Sequence, residues 1–269
     1  MSANLYQEHL TTRKNQEAQA VQLLVELNTL ANKGVDVLFF GNRIALSLVD
    51  IIAHHDKNAL NIADTLAFAT ALNDQNLSHT TVDLGQALKS GKPADSFTSG
   101  DEVPATDVVL YGFGRIGRIL ARLLMSRPTS DKGLQLKAIV VRPAGEADAL
   151  LKDLEKRASL LERDSVHGWF DGSVVVDKAN SGIIANGRFI KVIYAADPSE
   201  IDYTSYGIDN ALIIDNTGKW KDEAGLGKHL QSKGAKKVLL TAPASGDIKN
   251  IVYNVNDDTI GSDTIVSAA

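Results

Sequence analysis

Gly112, Gly114 and Gly117 stand at the spacing G-x-G-x-x-G in the stretch Asp107-Val108-Val109-Leu110-Tyr111-Gly112-Phe113-Gly114-Arg115-Ile116-Gly117-Arg118. Glycines at this spacing suit the cradling of a pyrophosphate. The first permits a tight turn, the second lets backbone approach the phosphates, and the third lets a helix pack on a strand. The phosphates then meet free N–H groups at the helix start, where the helix dipole favours negative charge. Taken alone the spacing is a weak signal, since an ordinary strand–helix turn can carry it. Its context strengthens it. The apolar run Val108 to Leu110 precedes the glycines, and Ile116, Ile119, Leu120, Leu123 and Leu124 follow at helical spacing. Strand, turn and helix are the elements that must position such a site.

Other reactive constellations are few. The 269 residues contain no cysteine, which removes disulfides, thiolate metal sites and a cysteine nucleophile from this chain. Ser165 and His167 resemble a hydroxyl and a base. Side chains at i and i+2 of a turn seldom meet as nucleophile and base, however, so a hydrolase is disfavoured. His54-His55 is no metal pair, because adjacent helical residues point about 100° apart; a solvated helix end is the expectation. No metal site is proposed. A net charge of −5 gives no support for nucleic-acid binding. No stretch approaches 18 uninterrupted apolar residues and the first 16 residues lack an apolar core, so no membrane segment or leader is expected and the cytoplasm is the default.

Residues 1 to about 100 read as helices. The periodic sets are Ala20 to Leu30, then Val37, Leu38, Ile44, Leu48, Ile51 and Ile52, then Ile62 to Leu72 with Asn61 as N-cap. The stretch from Ser90 to Pro104 is rich in turn residues and reads as a linker. The expected domains are 1–104, a helical extension and linker, and 105–269. After the glycines the pattern alternates strand and helix. Strands are predicted at 134–141, 174–176, 183–185, 189–194, 211–215, 237–241, 251–254 and 264–267, and helices at 150–161, 198–201 and 221–231. Asn186-Gly187 signals a type I′ hairpin. The expected fold class is α/β: an α-helical extension followed by a Rossmann-type domain with a mostly parallel sheet covered on both faces.

Seven ordered motifs from about 107 to 269 resemble one family. They are GFGRIGR at 112–118, RDSVHGWF at 163–170, NGRFIKV at 186–192, ADPSEI at 196–201, NTGKW at 216–220, GLGKHLQSKGAKKVLLTAPA at 225–244 and VNDDTI at 255–260. The family is phosphorylating glyceraldehyde-3-phosphate dehydrogenase, and the helical first hundred residues look like the extension of its long bacterial forms. The resemblance implies an oxidoreductase that uses NAD or NADP and works as a homo-oligomer on a sugar phosphate. The substrate would be glyceraldehyde 3-phosphate or the related erythrose 4-phosphate. It also implies a second domain opening on the motif S-C-T-T-N, which would follow directly on Thr264 to Ala269. The chain therefore looks like the cofactor-binding part of such an enzyme, lacking the catalytic domain: it should bind cofactor without catalysing the reaction. The competing reading is a stand-alone nucleotide-binding or interaction module.

By the same resemblance Arg115 and Ile116 match residues whose backbone faces the cofactor phosphates, within the loop Gly112-Phe113-Gly114-Arg115-Ile116-Gly117. Asn216 and Thr217 match the segment near the nicotinamide, and Thr241 and Ala242 the end of the next strand. A family arginine near the adenine is Ala196 here, so that contact looks lost. At the end of the second strand, where a carboxylate would bind the ribose hydroxyls, the chain has Arg142. A guanidinium there accommodates a 2′-phosphate, which favours NADP over NAD; stacking on the adenine is the alternative role.

Overall fold

A computed structural model describes residues 3–43, 47–101, 105–126, 133–143, 145 and 147–268. The chain falls into two compact units that divide between residues 104 and 105.

The first unit contains helices α1 (Ala3–Asn32), α2 (Leu48–Asn58), α3 (Ile62–Asp74) and α4 (Leu84–Ser90), with strands β1 (Asp36–Phe39), β2 (Asn42–Arg43) and β3 (Thr81–Asp83). Leu23, Leu27 and Leu30 of α1 are buried against Ile51, Ile52 and Leu72 of the next two helices. The Asn61 carboxamide caps α3 by accepting from the Ala63 amide at 2.9 Å.

Three expectations fail in this unit. Val37 and Leu38 lie in a strand, not a helix, with β1 paired antiparallel to β2 and parallel to β3. The cause is long-range. Phe40 and Gly41 form a two-residue turn with φ of 53° and 77°, and the carboxylate of Asp83, more than 40 residues on, accepts both of their amides. His55 is not solvated but 1% exposed. Its ring nitrogens bond the Ile51 carbonyl at 2.7 Å and the Thr65 hydroxyl at 2.9 Å. The stretch after Ser90 is no free spacer, since Ala94 and Phe97 pack on the helical core and Phe97 meets Phe68 edge-on. Ile44 and residues 102–104 lie outside the described residues.

The second unit is built on strands β4 (Thr106–Tyr111), β5 (Leu134–Val141), β6 (Arg163–Asp164), β7 (Gly168–Trp169), β8 (Val174–Asp177), β9 (Gly182–Ala185), β10 (Arg188–Tyr194), β11 (Ala211–Asp215), β12 (Ala235–Leu240), β13 (Asn250–Ile251) and β14 (Ile265–Ala268). Helices α5 (Arg115–Met125), α6 (Ala147–Glu162) and α7 (Glu223–Leu230) connect them. The nine-stranded sheet has the order β13-β14-β12-β11-β4-β5-β10-β9-β8. Every pairing from β13 to β10 is parallel, and β9 and β8 add an antiparallel edge. Side chains alternate across the sheet. Val108 and Leu110 pack on the α5–α6 side, while Val109 and Tyr111 pack on the opposite side with Tyr203 and Ile213.

Asn186 and Gly187 both take positive φ, and the register of β9 on β10 leaves only these two residues in the loop, as a type I′ turn requires. The strand expected at 251–254 stops at Ile251. There the Asn256 side chain folds the chain back, accepting from the Val252 amide and donating to the Asn250 carbonyl. The short β6–β7 hairpin, unpredicted, closes around RDSVHGW.

Candidate functional site

Strand β4 lies centrally in the parallel sheet. From it the chain steps to β5, goes on to the edge at β8 and back through β9 to β10, then crosses to the other side of β4 as β11 and continues through β12 to β13 and β14. The connections leaving β4 and β11 thus diverge, which opens a crevice at their carboxyl ends. The loop Gly112–Gly114 and the segment Asn216–Thr217 follow those two strands. Asn216 joins them, its amide donating to the Tyr111 carbonyl at 2.8 Å.

The three glycines have three different reasons. Gly112 has φ +93°, and a Cβ there would lie 2.8 Å from Cγ2 of Thr217. At Gly117 a Cβ would stand 2.5 Å from the Gly112 carbonyl oxygen, so this glycine lets α5 start hard against the loop. Gly114 has ordinary φ of −76° and nothing within 4 Å of where its Cβ would be. No atom of the described residues demands a glycine there; a group approaching the backbone from outside would.

Gly114 is the N-cap of α5 and supplies no side-chain cap. The amides of Arg115, Ile116 and Gly117 precede the first intrahelical bond, which runs from the Arg118 amide to the Gly114 carbonyl. Arg115 and Ile116 are exposed on this first turn. An uncapped helix start beside a glycine with open space fits a dinucleotide pyrophosphate. Phe113 differs from its neighbours: its side chain is 3% exposed and packed in the core, so only its backbone is available to a ligand.

On the far lip, the Asn216 carboxamide donates to the Ile214 carbonyl and accepts from the Thr241 hydroxyl, both at 3.1 Å. Thr241 directly follows β12 and its amide bonds the Asp215 carbonyl. Ala242 is half-buried, its carbonyl accepting from the Ser267 hydroxyl. Arg142 follows directly on β5, whose Val140 pairs with Tyr111, so it stands at the same edge of the sheet. It is exposed, and it makes no hydrogen bond or ion pair with the described residues. Its charge is nevertheless felt at the switch point. Burial pushes the Tyr111 hydroxyl far above its usual range, Asp215 and Asp197 add to the shift, and Arg142 opposes it.

Sequence reading missed a buried pair behind this lip. Asp215 and His229 are both 0% exposed, with 2.9 Å between Oδ2 and Nε2. A carboxylate ending the apolar run ALIID, and a histidine between Leu226 and Leu230, were the available signals. Motif RDSVHGW is a structural turn. The Asp164 carboxylate accepts from the Val166 and His167 amides, from His167 Nδ1 and from Arg118, which holds it well below the usual carboxylate range. The His167 ring bonds Asp164 rather than Ser165. Among the described residues no group of three or more His, Asp or Glu could hold a metal, and no helix is long and apolar enough to cross a membrane.

Strand order, switch-point crevice and glycine loop define a Rossmann-type dinucleotide-binding domain. Residues 106–223 match the family model described as glyceraldehyde 3-phosphate dehydrogenase, NAD binding domain. The chain is 45% identical over 247 residues to a glyceraldehyde-3-phosphate dehydrogenase-like protein of Pseudomonas aeruginosa (strain UCBPP-PA14), covering 84% of this chain and 52% of that protein. That share exceeds what the second unit alone accounts for, so the likeness reaches into the helical unit. It is also 35% identical over 163 residues to glyceraldehyde-3-phosphate dehydrogenase of Streptococcus pyogenes, covering 60% of this chain and 44% of that enzyme. For the Zymomonas mobilis enzyme the figures are 36% over 167 residues, 61% and 45%. The chain spans about half the length of the curated relatives it matches. Residues 106–223 thus carry a nucleotide-binding domain of the glyceraldehyde-3-phosphate dehydrogenase type.

Proposed function

We propose that the crevice between the glycine loop and Asn216–Thr217 binds a nicotinamide dinucleotide, as the cofactor half of a dehydrogenase that oxidises an aldehyde to an acyl phosphate. In this reading residues 1–104 are a helical extension and 105–269 the cofactor domain. Gly112, Gly114 and the amides of Arg115, Ile116 and Gly117 receive the pyrophosphate. Asn216, Thr217, Thr241 and Ala242 line the nicotinamide side. The observation that carries the reading is Gly114, a glycine at an uncapped helix start that no atom of the described residues requires.

Bound there, the cofactor supplies hydride acceptance. The substrate class is an aldehyde phosphate, glyceraldehyde 3-phosphate or erythrose 4-phosphate. Forming an acyl intermediate needs a thiolate with a nearby base, and these 269 residues hold no cysteine. The chain alone therefore binds cofactor and does not turn over.

Arg142 favours NADP. Its guanidinium is exposed just past the end of β5 with no partner among the described residues, at the place where a carboxylate would repel a 2′-phosphate. Calorimetric titration with both cofactors tests this. NADP should bind more tightly than NAD at low salt, and Arg142→Asp should weaken NADP selectively by more than about 1.4 kcal/mol, a factor of ten. Tighter NAD binding, unaffected by that substitution, would exclude the clamp.

A further inference from the structure

We propose that Asp215 is the positioning residue of the crevice: backed by His229, its carboxylate latches the Thr217 turn against the glycine loop. The proposal rests on the cofactor reading above and adds to it the part that holds one lip in place.

The geometry is that of a carboxylate with both oxygens committed. Oδ1 accepts from both the amide and the hydroxyl of Thr217, each at 2.7 Å. Oδ2 takes Nε2 of His229 at 2.9 Å. The Thr217 hydroxyl in turn accepts from the Lys219 amide at 3.1 Å, so the bond from Asp215 is carried one residue further around the turn. From the main chain, the Asp215 carbonyl accepts the Thr241 amide and hydroxyl. One residue therefore ties β11, α7, the Thr217 turn and the end of β12 together.

Burying a carboxylate is costly unless it is fully hydrogen-bonded. The chemistry explains why an acid stands here. Two donors converge on one oxygen and a third on the other, and only an all-acceptor group satisfies them; an asparagine would turn a donor toward His229. The carboxylate also sets the tautomer, since Nε2 must carry the proton. Nδ1 is buried without a hydrogen-bond partner among the described residues. Tyr111, the last residue of β4, holds the imidazole edge-on at 4.7 Å between ring centres, and Trp220 at 5.7 Å. His229 is thus a fixed backstop.

The latch bears on the glycine loop through the Thr217 methyl group, which lies 2.8 Å from where a Cβ at Gly112 would stand. If the turn moves, the packing that shapes the loop at Gly112 moves with it. Thr217 itself is exposed at the crevice. Its orientation is set from inside by a residue that no ligand reaches.

The test uses the full chain and two readouts: calorimetric affinity for NAD and NADP, and hydrogen-exchange protection of the Thr217 amide. Asp215→Ala should weaken both cofactors tenfold or more and abolish the protection. Asp215→Asn keeps an oxygen for Thr217 and should restore affinity to within about threefold of wild type, which a generally structural residue would not do. Should Asp215→Ala fail to fold, Thr217→Val, which deletes the hydroxyl bond, is expected to lower affinity and amide protection by smaller factors. A folded Asp215→Ala (or, in its place, Thr217→Val) with wild-type affinity and protection would overturn the proposal. If the wild type binds neither cofactor, the cofactor reading fails. The latch is then judged by Thr217 protection alone, supported if Asp215→Ala abolishes it or Thr217→Val lowers it, and overturned if neither variant changes it.

Discussion

The two units of the chain treat their helix starts differently. In the helical unit Ser47, Asn61 and Asp83 each accept an amide of the first turn of their helix. In the dinucleotide-binding unit Asp222 does the same for α7, yet α5 starts on Gly114 with no side-chain cap. A Ser, Thr, Asn or Asp cap stabilises a helix by about 1 kcal/mol over an alanine, so capping is the ordinary solution. At α5 that solution is absent at the one helix that opens on the switch point. Among the described helix starts, α2, α3, α4 and α7 use the cap, and α5 is left open where a ligand would supply the missing partners.

The largest effect that would sharpen this contrast is expected at Gly117. Gly117→Val drives a side chain into the Gly112 carbonyl, 2.5 Å from its Cβ. It should cost about 3 kcal/mol of the second unit's stability and eliminate dinucleotide binding. Both tryptophans, Trp169 and Trp220, lie in this unit, so their emission reports its unfolding. A loss of binding with no change in that transition would mean the glycine serves the ligand alone.

The helical unit should respond to a change in its own polar core and leave binding intact. Thr65→Val removes the hydroxyl at His55 Nε2 and should cost roughly 2 kcal/mol, the penalty of an unpaired buried group. Far-UV circular dichroism follows this unit, and cofactor affinity should stay at the wild-type value. The same histidine carries a pH dependence. Burial, aided slightly by His54, lowers its pKa against the opposing Ile51 carbonyl and Asp56. Because the folded value is depressed, its contribution to stability is complete above the ordinary value near 6.5 and falls as pH drops through and below it. In Thr65→Val that dependence should change.

A smaller effect separates the units on the acid side. Asp164 is held far below its ordinary value, first by the Val166 and His167 amides, then by the His167 ring and Arg118. Its contribution is present above about pH 4 and disappears only as pH falls further. The β6–β7 hairpin should therefore survive the fall through pH 6 that weakens the helical unit. The emission of Trp169, on which Arg163 stacks at 4.9 Å, reports it. Coincident loss of both signals near pH 6 would break the distinction.

How much of this was legible in the sequence depended on how local each cause was. Val108 to Leu110 running into the glycines needed only a dozen residues to read, and so did the Asn186-Gly187 turn and the Asn61 cap. Val37 and Leu38 were misread because their strand is decided by Asp83, which holds the Phe40–Gly41 turn from far along the chain. His55 was misplaced because its partner Thr65 belongs to the next helix. In the crevice, the residues at Gly112–Gly117 and Asn216–Thr217 were nameable. The Asp215–His229 pair behind them was not, since it arises only when α7 packs on the sheet at β12, beside β11. Phe113 shows the converse: a residue inside the motif whose side chain belongs to the core.

The central claim is that the uncapped start of α5 exists for the phosphates of a dinucleotide. Gly114→Asp tests it most directly, because Gly114 already has the extended backbone of an N-cap and room for a side chain. An aspartate there caps the helix as Asp222 caps α7, and it places a negative charge where the phosphates would sit. Calorimetric titration with NADP, on protein whose melting temperature is equal to or higher than wild type, should then show no binding. Wild-type affinity in that variant would contradict the account.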